Sequence, residues 1–179
     1  MIAIVNGKVL TITQGSFDPG TVLIEGGKIV AVGEHVEIPE DAEIYDAAGR
    51  WVLPGFVEAH CHTALFADGV NGVEMDGNEM TDPITPQLRG IDALHPEDIA
   101  FEDIVKSGVT TINTGPGSAN LVGGQWVCVK TAPKATVEEM VLLEPAGMKM
   151  AMGENPKRVY GSQNKMPSTR MGNAAVLRS

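Results

Sequence analysis

The sequence predicts an α/β protein: part of a TIM-like (β/α)8 barrel, preceded by a small antiparallel β-sandwich-type domain. Three observations predict it. Short β-rich runs separated by Asn-Gly and Gly-Gly fill residues 1–50, which is the pattern of hairpins. From residue 51 onward, strand-like and helix-like runs alternate, the signature of βα units in a parallel sheet. Where the two regions meet, an apolar run ends in His60 and His62, at the strand end where such barrels place their chemistry. The predicted domains are therefore 1–50 and 51–179. The second span is about half of the roughly 250 residues that a barrel takes, so it is read as a first half.

The elements follow in order. Residues 2–5 and 8–13 flank Asn6-Gly7, the strongest short hairpin signal. Residues 21–24 and 28–32 flank Glu25-Gly26-Gly27 and predict a second hairpin, and 43–46 a fifth short strand. Fifty residues of meander bury little apolar surface, so this domain expects a partner. Pro54-Gly55 then breaks the chain ahead of the histidine strand, which reads as buried.

Residues 63–94 form a long connection rich in Gly, Asp and Asn. Loops of that length are usually functional or disordered, and its place directly after the two histidines suggests a lid or substrate contact. His95-Pro96-Glu97-Asp98 predicts a helix start, with proline and acidic residues in the first turn. Ile99, Phe101, Ile104 and Val105 give that helix its apolar side and Gly108 ends it; His95 reads as structural. Residues 109–113 predict a strand, 114–124 a glycine-rich loop at a barrel mouth, and 125–130 another strand. The loop lacks the spacing and the lysine of a phosphate-binding loop. Thr136-Val-Glu-Glu139 is a capping-box signature, and 148–152 predict a strand ending at Gly153-Glu154-Asn155-Pro156. A polar stretch follows until residues 171–179, which look helical.

Composition narrows the function. Of the 179 residues, 43 % are hydrophobic and 20 % charged, as in a globular chain. No run of 18 apolar residues suggests a membrane span, and the first residues lack a basic, cleavable leader pattern. Two cysteines, Cys61 and Cys128, make no disulfide framework, which fits the cytoplasm. A net charge of −10 argues against nucleic acid and anionic membrane as partners. From Met150 onward the balance reverses: Lys157, Arg158, Lys165, Arg170 and Arg178 stand against Glu154 alone. That tail is a solvated loop or a patch for an anionic substrate.

The histidines carry the chemistry. Successive strand side chains alternate faces, so His60 and His62 share one face and Cys61 takes the other. Two imidazoles about 7 Å apart along a strand can close on one metal ion at roughly 2.0–2.1 Å each.

The stretch Val52-Leu-Pro-Gly-Phe-Val-Glu-Ala-His-Cys-His62 resembles the first barrel strand of the metal-dependent amidohydrolase superfamily. Gly26-Gly-Lys-Ile-Val-Ala-Val-Gly33 is similar to the small β domain that precedes such barrels. Gly117-Ser-Ala-Asn120, Gly123-Gly124 and Lys149-Met-Ala-Met-Gly-Glu-Asn-Pro-Lys-Arg-Val-Tyr-Gly161 look most like the imidazolonepropionase-related branch. The resemblance implies hydrolysis of C–N bonds by a metal-activated water, with one or two divalent ions, zinc first. It implies a small amide, cyclic amide or dipeptide-like substrate. His60 and His62 carry over as ligands and Glu154 as the third, with Lys130 and Lys149 as rivals for a bridging role. The family's later histidines, its acidic residue and its general base have no counterpart here; His35 and His95 are the only other histidines. The resemblance thus makes this chain the N-terminal portion of an enzyme, inactive alone, that forms homo-oligomers or associates with the missing half. The alternative is a non-catalytic truncated or scaffold chain that needs a second polypeptide.

Overall fold

A computed structural model describes residues 1–68, 72, 75–132, 134 and 136–179. It is an α/β fold with two sheets and few helices. The chain divides into two units, Met1–Pro54 and Gly55–Ser179.

The first unit is one sheet built from β1 (Ile2–Leu10), β2 (Ser16–Glu25), β3 (Lys28–Gly33), β4 (Glu43–Asp46) and β5 (Trp51–Val52). The order is β3-β2-β1-β4, with β5 also on β1. Two expectations change here. First, Asn6-Gly7 does not turn the chain: β1 runs straight through it. A hairpin turn of that type needs φ > 0 at both residues, and only Asn6, at 55°, has it. Asn6 is instead a bulge in the β1/β2 register, pinned by its amide to the Asp46 carboxylate at 3.1 Å. Gly7 is there for closeness, since a Cβ would sit 2.6 Å from a Val52 methyl of β5.

Second, the unit is a single sheet of five strands rather than a sandwich, and β4 and β5 run parallel to β1. Only β1–β2–β3 is antiparallel. The β2–β3 turn is the expected one, with Gly26 and Gly27 at φ 56° and 76°. One sheet buries little: Ala3, Val9, Val22 and Leu23 are inside, while Ile29, Ile44, Tyr45 and Trp51 stay exposed.

The second unit holds β6 (Phe56–Cys61), α1 (Ala100–Lys106), β7 (Val109–Thr114), β8 (Val122–Lys130), β9 (Val141–Met150), α2 (Glu154–Ser162) and α3 (Arg170–Arg178). The sheet order is β6-β7-β8-β9. β6 and β7 are parallel and joined through α1. β8 and β9, however, are antiparallel to their neighbours, so the expected all-parallel run stops after one βα unit. The reason is the connections. Those after β7 and β8 contain no helix among the described residues, and parallel strands need a crossover of a dozen or more residues, usually helical.

Local departures have local causes. Helix α1 starts at Ala100 rather than at His95, because the Asp98 carboxylate accepts from the Ala100 amide at 2.9 Å and turns the chain there. Gly108, at φ 87°, ends it as expected. Thr136–Glu139 is a turn, and Glu139 reaches back to the Thr136 amide at 3.4 Å. Gly123 and Gly124 belong to β8, where a Cβ on Gly124 would strike the Leu88 carbonyl at 2.7 Å. That close approach lets residues 84–89 lie along β8 through bridges at Ile84–Val122 and Arg89–Gln125. The long connection is thus partly built into the sheet. Its residues 69–71, 73 and 74 lie outside the described ones, so the lid expectation is only partly covered. Where a polar tail was expected, α2 forms.

The core of this unit sits on one side of the sheet: Ala64, Leu94, Phe101, Ile112, Val127, Val129 and Met140, with Cys61 packed against it. β6 itself is not buried. Its residues 56–60 are exposed, because among the described residues β6 is paired along one edge only.

Tyr160 of α2 is fully buried and ties that helix down. Its hydroxyl lies 2.7 Å from the Asp82 carbonyl and 2.5 Å from the Asn120 Oδ1, two acceptors for one phenolic proton. Asn120 in turn donates to Thr85 Oγ1 at 2.8 Å. Burial, helped by the nearby Asp82 and Glu79 carboxylates, pushes the phenol up to about 12. The folded value exceeds the unfolded value of about 10. The protonated phenol therefore stabilises fully below pH ~10, and that contribution is lost as pH rises through about 12. Tyr160→Phe should cost about 1–3 kcal/mol at neutral pH, since Asn120 loses a buried partner. In urea titrations stepped from pH 7 to 12, it should also remove the alkaline loss that the parent shows.

Candidate metal centre

β6 delivers both histidines to the face opposite the core, as its two-residue period requires. The ring centroids lie 5.4 Å apart at an interplanar angle of 86°. Cys61, between them, faces the core cluster. A third ring joins the pair. Trp126 of β8, only 5 % exposed, packs edge-on at 4.7 Å from His60 and 5.5 Å from His62. Phe66 supports His62 from another side at 5.8 Å.

His62 is oriented by the main chain. Its Nδ1 lies 2.7 Å from the Gly115 carbonyl. A carbonyl can only accept, so Nδ1 carries the proton and donates it, and Nε2 keeps its lone pair. This is the arrangement by which outer partners fix the tautomer of a metal-binding imidazole. Gly115 also makes room for the indole, since a Cβ there would meet Trp126 Cδ1 at 2.5 Å.

His60 opens into a cleft of about 270 Å³ together with Asn113, Trp126, Met148, Lys149 and Met150. Asn113 is held from both ends: its amide donates to the Ala59 carbonyl at 3.2 Å, and its Oδ1 accepts from the Cys128 thiol at 3.5 Å. The Lys149 ammonium lies 5.3 Å from the centre of the Trp126 ring. Burial lowers its pKa from the usual lysine range. It pairs with no carboxylate among the described residues. Gly123 lies beneath its stem, and a Cβ there would come within 3.3 Å of Lys149 Cγ.

The other expected donors stand elsewhere. Glu154 is the exposed first residue of α2. Among the described residues no three His, Cys, Asp or Glu side chains gather round one point, so Glu154 does not complete a cluster with the histidines. Lys130 donates to Thr111 Oγ1 at 3.1 Å, toward the start of β7. His95 accepts from the Glu97 amide at 3.3 Å, a local contact. Trp126 and Asn113 were missed from sequence. Both lie in strands that were read, but nothing short of the strand register puts them beside His60.

Two adjacent imidazoles are donors of the kind that suits a divalent ion, and His62 has its free nitrogen defined by a main-chain hydrogen bond. No third His, Cys, Asp or Glu joins them among the described residues, and the Trp126 Nε1–H, buried with no partner there, is a hydrogen-bond donor that cannot ligate a cation.

No family model matches the chain. A solved amidohydrolase from Thermotoga maritima superposes with a TM-score of 0.92 at 48 % identity, over 99 % of this chain and 46 % of that one. The amidohydrolase tasK of Hapsidospora irregularis is 42 % identical over 174 residues, 89 % of this chain and 18 % of its own length. The chain belongs to the amidohydrolase superfamily. An imidazolonepropionase of Vibrio cholerae is 34 % identical over 58 residues, 32 % of this chain and 14 % of that protein. The chain thus spans less than half of the solved relative and under a fifth of tasK.

The glycine beneath the indole gives a direct test of the packing. Gly115→Ala should force Trp126 aside and cost about 1–3 kcal/mol as overpacking. Urea unfolding reads that loss; parent stability would show the indole is not seated as described.

Proposed function

We propose that the complete protein hydrolyses a C–N bond in a small amide, cyclic amide or dipeptide-like substrate, with His60 and His62 holding a divalent ion, zinc first. The single observation that carries this reading is the 2.7 Å bond from His62 Nδ1 to the Gly115 carbonyl, which reserves Nε2 for a ligand. Zinc held there supplies Lewis acidity, making water a better nucleophile near neutral pH and polarising the carbonyl under attack. The chain's own residues hold and shield. His60 and His62 bind, Gly115 keeps His62 in one tautomer, and Trp126 covers both rings on one side and excludes water from it.

Two imidazoles need further donors. Lys149 has a stronger claim than Glu154, because it lines the cleft with His60 and packs on the indole that both imidazoles touch. Its neutral amine can add to carbon dioxide: the nitrogen lone pair forms a C–N bond, a proton leaves to solvent, and an anionic carbamate oxygen results. β6 and β7 are then the first two strands of a (β/α)8 barrel, with the remaining strands, the general base and further ligands in the rest of the enzyme. The chain's −10 charge argues against nucleic-acid partners, and no helix is long and apolar enough to cross a membrane among the described residues. The cytoplasm is the proposed setting.

In the complete protein, His60→Ala and His62→Ala should each lower zinc content and cut turnover more than about 100-fold, beyond what outer-partner changes cost. Elemental analysis and a panel of cyclic amides, N-acyl amino acids and dipeptides read both. Unchanged zinc and turnover would end the proposal. In the same assays Lys149→Ala should lose activity and regain part of it with added formate or acetate, while Glu154→Gln should stay near parent. The reverse ranking would restore Glu154 as the third ligand.

Among the described residues β6 and β9 each pair along one edge only, and open edges invite association. The 179-residue chain alone should therefore sediment as an oligomer or aggregate, and a stable monomer would contradict that.

A further inference from the structure

We infer that Trp126 is a positioning residue for the metal centre: its indole fixes the separation and tilt of the two imidazoles. The inference rests on the proposed metal site and deepens it. Three observations meet at this side chain. Its ring lies edge-on to both His60 and His62, at 4.7 and 5.5 Å with the same interplanar angle of 68°. A single rigid plane therefore restrains both rings together. The indole is itself held, at 5 % exposure, against Gly115, where a Cβ would stand 2.5 Å from Cδ1. Gly115 is also the residue whose carbonyl orients His62. The third contact is the Lys149 ammonium, 5.3 Å from the ring centre. One aromatic plane thus touches every donor proposed for the site.

The physical need follows from hydrogen bonding. His62 has a ring hydrogen bond to the main chain, and His60 has none among the described residues. An imidazole without such a bond samples several rotamers, and each must be given up when it binds a metal. His62 is relieved of that by Gly115. For His60, the Trp126 ring is the restraint. The effect inferred is on metal affinity and geometry.

The test uses the complete protein with zinc alone as the probe, then cobalt(II) as a spectroscopic substitute. Trp126→Leu keeps apolar bulk but removes the plane. It should weaken zinc binding by tenfold or more, as outer-partner changes do, and alter the visible cobalt(II) absorption. Trp126→Phe keeps a plane and should lose less than the roughly tenfold that outer-partner changes cost, with the parent cobalt spectrum. Trp126→Met, which adapts to the space, replaces the Leu variant if that one fails to fold, and should weaken zinc in the same way. Urea unfolding of each metal-free variant checks that the fold is kept. Parent-like zinc affinity and cobalt spectrum in a folded Leu or Met variant would overturn the inference, as would a folded Phe variant as weak as Leu. The control separates this from the underlying reading. If His60→Ala and His62→Ala bind zinc like the parent, the metal site itself is wrong. If they lose zinc and Trp126→Leu does not, only the positioning role falls.

Discussion

The two-residue period of β6 is the constraint on which the site depends. Because side chains alternate along a strand, His60 and His62 fall on one face and Cys61 on the other. The core then confirms the assignment from below, since Cys61 packs against Ala64, Phe101, Ile112 and their neighbours. A slip of one residue in the β6/β7 register would exchange the two faces. It would bury an imidazole among apolar side chains at considerable cost. The apolar core thus enforces the polar site without touching it.

Orientation is then divided between two kinds of partner. His62 is aimed by a hydrogen bond to a main-chain carbonyl, a contact that fixes which nitrogen carries the proton. The His60 ring is held by aromatic contacts, with no ring hydrogen bond among the described residues. The site therefore has one donor fixed by a hydrogen bond and one held by packing. The cleft opens on the side of the second, where Asn113, Lys149 and the two methionines line it.

Much of this was legible in the residues. The histidine face, the Gly26-Gly27 hairpin, the strand at 43–46, the strand at 109–113 and the C-terminal helix all follow from spacing and turn chemistry. The failures share a cause: each depended on what lies beside a segment in space. Asn6-Gly7 is a strong hairpin signal in isolation, but pairing on both sides of β1 holds the strand straight. The β8 and β9 runs read as strands, yet nothing in either run states its direction. β6 reads as buried because it is apolar; its exposure comes from having, among the described residues, a neighbour along one edge only. Trp126 was visible as a strand residue, and only the cross-strand register puts it between two imidazoles and a lysine. Glu154 was placed after a strand end, but a helix begins there, and its exposed first turn keeps that carboxylate away from a shared point with the histidines.

The cleft has a stiff floor and a soft rim. Behind its lining side chains, Gly115 cannot grow without striking Trp126, and a Cβ on Gly123 would press the Lys149 stem at 3.3 Å. Along its border, Met148 and Met150 are half-exposed thioethers, unbranched and able to rearrange around different shapes. Adaptation to a new occupant is therefore steered to one strand. Lineages that change what the cleft accepts would do so by rewriting β9, and would leave the glycines alone.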